Sequence, residues 1–216
     1  PFQPMLLDTS ITSFQFIGQS NTQYSFYSIA KDSAGNTEDT PLTPDAVTHV
    51  GNDLLTLNVK AFIEGFYLAF ETMTPVLKNQ GVIPDNDITD TITVELRNAT
   101  SPYNVVSTSK ALLHTNGLAN VVFESVQSGS YFIAVKHRYA LQTWSSMPVN
   151  IVGPEVSYDF TNSAFKAYGN NMIEVEPGVW AFYTGDINQD ENVDIFDLTN
   201  LENGISGFNF GYFSAD

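Results

Sequence analysis

Apolar and polar residues alternate over much of this chain, and a period of two marks a half-buried β-strand. The pattern is cleanest at 91–97, where Ile92, Val94 and Leu96 alternate with Thr91, Thr93 and Glu95. Residues 54–63 predict an opening strand, with 105–113 and 119–123 on either side of a turn at Thr115-Asn116-Gly117. Another strand is expected at 131–136, after Ser128-Gly129-Ser130. Shorter ones follow at 156–161, 172–175 and 179–183. Near the amino terminus, 11–17 and 23–30 read as two strands around Gly18-Gln19-Ser20-Asn21. One stretch keeps a different period. Leu198, Leu201 and Ile205 stand at i, i+3 and i+7, which predicts a helix at 195–205 with one apolar face and stop signals at Gly204 and Gly207.

These elements divide the chain three ways: a hairpin and linker at 1–49, a β-sandwich at 50–184 and a short helical segment at 185–216. Pro41, Pro44 and the charges around them mark the linker at 38–45. A lone two-stranded hairpin is marginal in water. The first segment is therefore expected to belong to a truncated domain, to pack on the rest of the chain, or to complete a neighbouring subunit by strand addition.

Composition sharpens this picture. Phe (16) and Tyr (10) are abundant among many Thr, Val, Asn and Gly, as in β-rich proteins. Lys and Arg total 8 against 24 Asp and Glu, a formal net charge of −16. Such a surface repels phosphate backbones and anionic membranes, so neither nucleic acid nor a membrane is an expected partner. No apolar run reaches the ~20 residues of a membrane helix, so insertion is not expected either. Cysteine is absent, which excludes disulfides, thiolate catalysis and zinc–cysteine sites.

The strongest chemical signal is a ladder of oxygen-bearing side chains: Asp186, Asn188, Asp190, Asn192, Asp194 and Asp197. They occupy positions 1, 3, 5, 7, 9 and 12 of a twelve-residue loop, the spacing that folds oxygens onto one hard cation such as Ca²⁺. Four of them are carboxylates, whose mutual repulsion is expected to leave the loop disordered until calcium neutralises it. The sixth loop position, where such loops turn sharply and favour Gly, is Glu191. A left-handed conformation there would cost roughly 1 kcal/mol.

Gly185-Asp186-Ile187-Asn188-Gln189-Asp190, then Val193-Asp194 and Asp197-Leu198, resembles the first calcium repeat of a type I dockerin. The resemblance implies an EF-hand-like loop closed by Asp, here Asp197, and a cohesin as partner, although Ile195 and Phe196 replace the small polar residues often found there. It also implies a second repeat, with Asp216 as its first ligand. Tyr24-x-Phe26 through Asp32-x-Ala34-Gly35-Asn36 is similar to the last hairpin of fibronectin type III or immunoglobulin-like modules. The Asn116-Gly117 turn and Gly129-x-Tyr131 resemble Ig-like and transthyretin-like sandwiches. Ile63-Glu64-Gly65-Phe66-Tyr67, Arg97-Asn98, His137-Arg138 and Thr143-Trp144-Ser145 resemble the region before dockerin-like repeats in secreted proteins of Bacteroidetes-type bacteria. Asp32-Ser33-Ala34 and Asp90-Thr91-Ile92 resemble their O-glycosylation sites.

Catalytic signatures are missing. His49, His114 and His137 are scattered, and no nucleophile elbow, phosphate loop or His-Glu-x-x-His occurs. Glu64, Glu71, Glu95 and Glu124 are the candidates for a carboxylate pair, and Trp144 and Trp180 for stacking on sugar. Lys136-His137-Arg138, the one basic cluster, reads as a solvated strand end or a contact for the acidic metal segment.

The expected fold is all-β: an Ig-like or transthyretin-like sandwich with a short EF-hand-like calcium loop and helix. The expected function is a non-catalytic, calcium-binding extracellular or cell-surface module for adhesion or assembly, its partner another copy of itself or another extracellular protein. One form of it is a fibre subunit joined by strand addition. The alternative is a dockerin or carbohydrate-binding module anchoring a secreted multidomain enzyme to a cohesin or glycan.

Overall fold

The computed structural model describes residues 4–7, 9–19, 22–50, 54–207 and 211–212. The chain divides into two compact units, Pro1–Asn52 and Asp53–Asp216; the second holds both the expected sandwich and the described part of the calcium segment.

In the first unit β1 (Thr22–Phe26) pairs antiparallel with β2 (Ala46–Val50). The expected strand at 11–17 does not form. Its alternation serves packing instead: Phe16 meets the rings of Tyr24 and Phe26 edge-on, at 4.7 and 5.0 Å. Between the strands Lys31 bridges Thr37, and Asp32 accepts the N–H groups of Ala34 and Asn36, both at 2.9 Å. The Asp32-Ser33-Ala34 motif thus lies on an exposed turn.

The second unit is a β-sandwich. One sheet carries β6 (Ile88–Asn98) between β7 (Val105–His114) and β9 (Gly129–His137), with β10 (Ala140–Trp144) and β11 (Val149–Ile151) beyond β9. The other carries β3 (Leu54–Lys60) between β8 (Leu118–Glu124) and β12 (Glu155–Asp159), the last parallel to β3. Two small hairpins, β4 (Tyr67–Ala69) with β5 (Thr72–Met73) and β13 (Ile173–Glu176) with β14 (Val179–Ala181), complete the strands. Among the described residues α-helix is limited to α1 (Val76–Asn79) and α2 (Ile195–Ser206).

The alternation decides what is buried. Leu55, Leu57, Val59, Ala119, Val121 and Phe123 from one sheet meet Ile92, Val94, Leu96, Leu113, Ile133 and Val135 from the other in one core. Each large side chain enclosed there contributes about 1.5–3 kcal/mol. Consecutive β7 and β8 lie in different sheets, so the chain must turn tightly between them. Gly117 makes this possible at φ +82°, where a Cβ would lie 2.7 Å from the Phe62 ring. Phe160 packs edge-on against Phe182 at 5.1 Å, and Phe182 N–H donates to Phe62 O at 2.8 Å. The strands around 160–182 therefore run through the core and deliver a fixed backbone to the segment beginning at Gly185.

Candidate metal centre

The loop enters from a rigid base. Leu141 N–H donates to Tyr183 O, and Gly185 N–H to Tyr139 O, each at 2.9 Å. Thr184 gives its N–H and hydroxyl to Glu64 at 3.2 Å. Gly185 stands at φ +111°, with Val193 so close that a Cβ would lie 3.0 Å away.

From there the short polar side chains coil the backbone. Asn188 Oδ1 accepts Asp190 N–H at 2.9 Å and Asp190 Oδ1 accepts Asn192 N–H at 3.0 Å, two successive Asx turns. Gln189 and Glu191 take left-handed conformations, at φ 61° and 68°. Glu191 thus occupies the sharp turn expected of the sixth position. At the loop's end Asp194 caps α2 by accepting Phe196 N–H at 2.8 Å, and Asp197 returns to accept Asp194 N–H at 2.8 Å, a capping box.

Of the six expected ligands, Asp186 and Asp197 are buried, at 1% and 4% exposure, and lie close enough for their charges to interact. Asn188 is half-buried, while Asp190, Asn192 and Asp194 are exposed. Asp186 accepts Asp190 N–H at 3.1 Å and Glu191 N–H at 3.3 Å. Asp197 accepts Ile187 N–H at 2.7 Å and Asn188 N–H at 3.1 Å as well as that of Asp194. These N–H groups offset part of the repulsion between the two carboxylates. Burial, and secondarily the charge of Asp197, holds the Asp186 carboxyl above its ordinary range. Burial pushes Asp197 the same way, but its three N–H donors outweigh it and its pKa falls.

Among the described residues no three His, Cys, Asp or Glu side chains form a group able to hold a metal ion. Two buried carboxylates and their neighbouring amide and carboxylate oxygens are all hard donors, which fits calcium and not the nitrogen and sulfur preference of zinc. Each carboxylate keeps lone pairs beyond those taken by N–H groups. The chain supplies no Lys or Arg after Lys166 to balance them. Asp216, the expected first ligand of a second repeat, lies outside the described residues.

Another buried carboxylate enters the sequence reading only within the glycosylation-like Asp90-Thr91-Ile92 motif. Asp90, on β6, is fully buried. Its Oδ2 lies 3.1 Å from both His137 Nε2 and Arg138 Nη2; its Oδ1 accepts Thr91 N–H at 2.7 Å and the Tyr212 hydroxyl. The Arg138 guanidinium stacks 4.1 Å from the Tyr212 ring centre. Tyr139 N–H donates to His137 Nδ1 at 3.2 Å, which leaves the ring proton on Nε2, facing Asp90. The Lys136-His137-Arg138 cluster is therefore not a solvated strand end: Lys136 pairs with Glu95 at 2.8 Å and the other two with Asp90. The Asp90-Thr91-Ile92 motif sits inside the central strand, with Asp90 and Ile92 buried.

The remaining candidates are engaged elsewhere. Glu71 pairs with Lys60, and Glu95 with Arg97 and Lys136. Trp144 is covered by Arg97, 4.7 Å from its ring centre, with Tyr103 edge-on at 6.2 Å and Phe132 tilted at 5.8 Å. Trp180 packs half-buried against the core. Among the described residues no helix is long and apolar enough to cross a membrane.

Comparison with family models finds no match, and comparison with curated proteins finds none either. Among solved structures, one similar chain comes from a C-terminal interface mutant of a type II cohesin–X-dockerin complex of Acetivibrio cellulolyticus. It is 14% identical over 69% of this chain and 73% of that chain, with a TM-score of 0.38. A chain from the N-terminal interface mutant of that complex is 15% identical, with the same coverage and a TM-score of 0.36. Likeness this distant carries no weight for function.

Proposed function

We propose that this chain is a non-catalytic, calcium-binding β-sandwich module of a secreted or cell-surface protein, acting in adhesion or assembly. The observation that carries the reading is the pair of buried carboxylates, Asp186 and Asp197, brought together by a coiled loop with no cationic side chain of its own. Asp186, Asn188, Asp190, Asn192, Asp194 and Asp197 would hold the ion. Calcium would supply the positive charge that backbone N–H dipoles only partly provide, and would stiffen the junction between loop and helix. The partner is a second copy or another extracellular protein. A two-stranded hairpin such as β1–β2 gains stability by joining further strands, which favours a fibre built by strand addition.

Exposure on α2 supports a second reading, a dockerin-like module that binds a cohesin-like protein. Ile195, Leu198 and Ile205, which share one side of the helix, are 71%, 47% and 65% exposed, an apolar face open to a protein partner. A glycan partner has less support, because Trp144 is already covered.

Calorimetry with Ca²⁺ tests both readings. Heat that fits a Kd below about 1 mM, the weak end for extracellular modules, is expected. Its absence would overturn both. Electron microscopy with calcium and with chelator then separates them: filaments that dissolve on chelation support the fibre, and capture by cohesins without filaments supports the second.

A further inference from the structure

We propose that the β9–β10 turn and Asp90 form a clasp that holds the loop and helix at 185–207 to the sandwich, through Gly185 on one side and Tyr212 on the other, so that order in the loop depends on the contact made at Tyr212. The inference rests on the calcium reading only for its second experimental arm.

A single turn holds both flanks. On the entering side, Tyr139 O accepts Gly185 N–H and Ala140 bridges Thr184. On the far side, beyond α2, Tyr212 gives its hydroxyl to Asp90 and its ring face to Arg138. Arg138, next to Tyr139 in that turn, donates its Nε–H to the same Asp90 carboxylate at 3.2 Å, and His137, at the end of β9, lies 3.1 Å from it. Phe66 closes the rear of the cluster, edge-on to His137 at 5.5 Å and stacked on Tyr139 at 5.7 Å. Asp90 is thus the common acceptor for β6, the β9–β10 turn and the returning chain.

Such a device changes what the loop can do. A chain tied at Gly185 alone explores many conformations, and a second tie at Tyr212, 27 positions further on, removes most of them. The carboxylates at 186 and 197 then meet at lower entropic cost, which raises affinity through preorganisation. Bound ion and fastened Tyr212 stabilise one arrangement, so each favours the other.

Tyr212→Phe tests this most directly, since it deletes the hydroxyl and keeps the stacked ring. In chelator, hydrogen exchange at the amides of Ile187, Asn188, Asp190 and Asp194 should quicken roughly tenfold, the scale of one hydrogen bond to a charged group. Amides of β3 and β8 should be unchanged. A chain ending at Gly207, which leaves every sheet residue in place, should show the same rise. In the second arm, the Ca²⁺ Kd should weaken about tenfold by the same scale. Unchanged loop exchange in both variants would overturn the clasp. If the wild-type chain binds no calcium, the calcium reading fails and the chelator arm alone decides the clasp.

Discussion

Asp90 and the pair Asp186 and Asp197 are the most deeply buried carboxylates described in the second unit, and they balance the charge by opposite means. Asp90, on β6, is met by the side chains of His137 at the end of β9, Arg138 in the turn after it, and Tyr212. Asp186 and Asp197 are met almost wholly by N–H groups of their own loop. Backbone N–H groups are dipoles without net charge; a guanidinium carries a full one. Asp90 is held below its ordinary pKa: burial pushes it up, but His137, Tyr212 and Thr91 N–H more than offset that. Asp186 is pushed above. The first site is finished by the chain itself, whereas the second is short of positive charge, the one thing a divalent cation brings.

The sharpest way to break this comparison is to remove the acid that the chain has already neutralised. Asp90→Ala strands Arg138 and His137 beside an apolar core. Breaking a buried pair from one side costs about 3–5 kcal/mol. The thermal midpoint should drop steeply with or without calcium. A small, calcium-dependent drop would mean that Asp90 belongs to the loop's energetics and not the sandwich's.

Next in size is Asp197→Ala, which releases the N–H groups of Ile187, Asn188 and Asp194 and opens the capping box of α2. A loss of about 2 kcal/mol, confined to loop and helix, is expected. Helical circular dichroism should fall while the core of the sandwich stays protected from exchange, and calcium heat should vanish. Cooperative loss of the sheets would show that the two sites are one.

How far the sequence alone discloses these sites depends on the range of their contacts. Strands β3, β6, β8 and β9 follow from local periodicity, because their burial is set by neighbours two residues away; α2 forms where its period predicts, but it buries Asp197 and Gly204 while Leu198 and Ile205 of the expected apolar face stay exposed. The ladder at 186–197 is likewise legible from local spacing. The partner of β1 is not: 46–50 carries no period-two pattern, yet hydrogen bonding selects it over 11–17, where Phe16 packs its ring without pairing. Asp90 depends on residues 47, 48 and 122 positions away, beyond any local pattern. One signal did exist. Asp90 shares its parity with Ile92, Val94 and Leu96, and His137 with Ile133 and Val135, so each is a polar residue on a core-facing position. A charge placed there requires a partner.

Smaller again is the effect of acid. Burial lowers the pKa of His137 more than Asp90 raises it, with Arg138 adding to the fall, so the ring is neutral in the fold. The unfolded chain takes up that proton near pH 6.5 and the folded chain only below it. Stability from burying the neutral ring is therefore complete above pH 6.5 and declines as pH falls below it toward the lowered folded value. The Asp90 contribution, with its folded pKa lowered, disappears only at still lower pH, below the 3.8 of the unfolded carboxyl. Tyr212 has the reverse sign. Its hydroxyl is pushed up to about 12 by burial and by Asp90, so its contribution is full below pH 10 and lost through about 12. A melting series in chelator should show both edges. His137→Asn should flatten the acid one, and an unchanged edge in that variant would remove His137 from the account.

The smallest change separates backbone strain from charge at the loop itself. Glu191 carries a left-handed φ of 68° at the turn where calcium loops favour Gly, and a residue with a Cβ costs about 1 kcal/mol more there. Glu191→Gly removes that strain and one negative charge, but adds freedom to the unfolded chain, which returns part of the gain. The folded loop should be firmer by a few tenths of a kcal/mol. Losing the charge pulls calcium affinity down and relieving strain pulls it up, so Glu191→Gln is the necessary control, since it alters charge alone. If Gly binds calcium more tightly than Gln, geometry at this turn limits the site. If the two bind alike, charge alone sets affinity, and the contrast between a finished carboxylate at 90 and an unfinished pair at 186 and 197 stands without any appeal to strain.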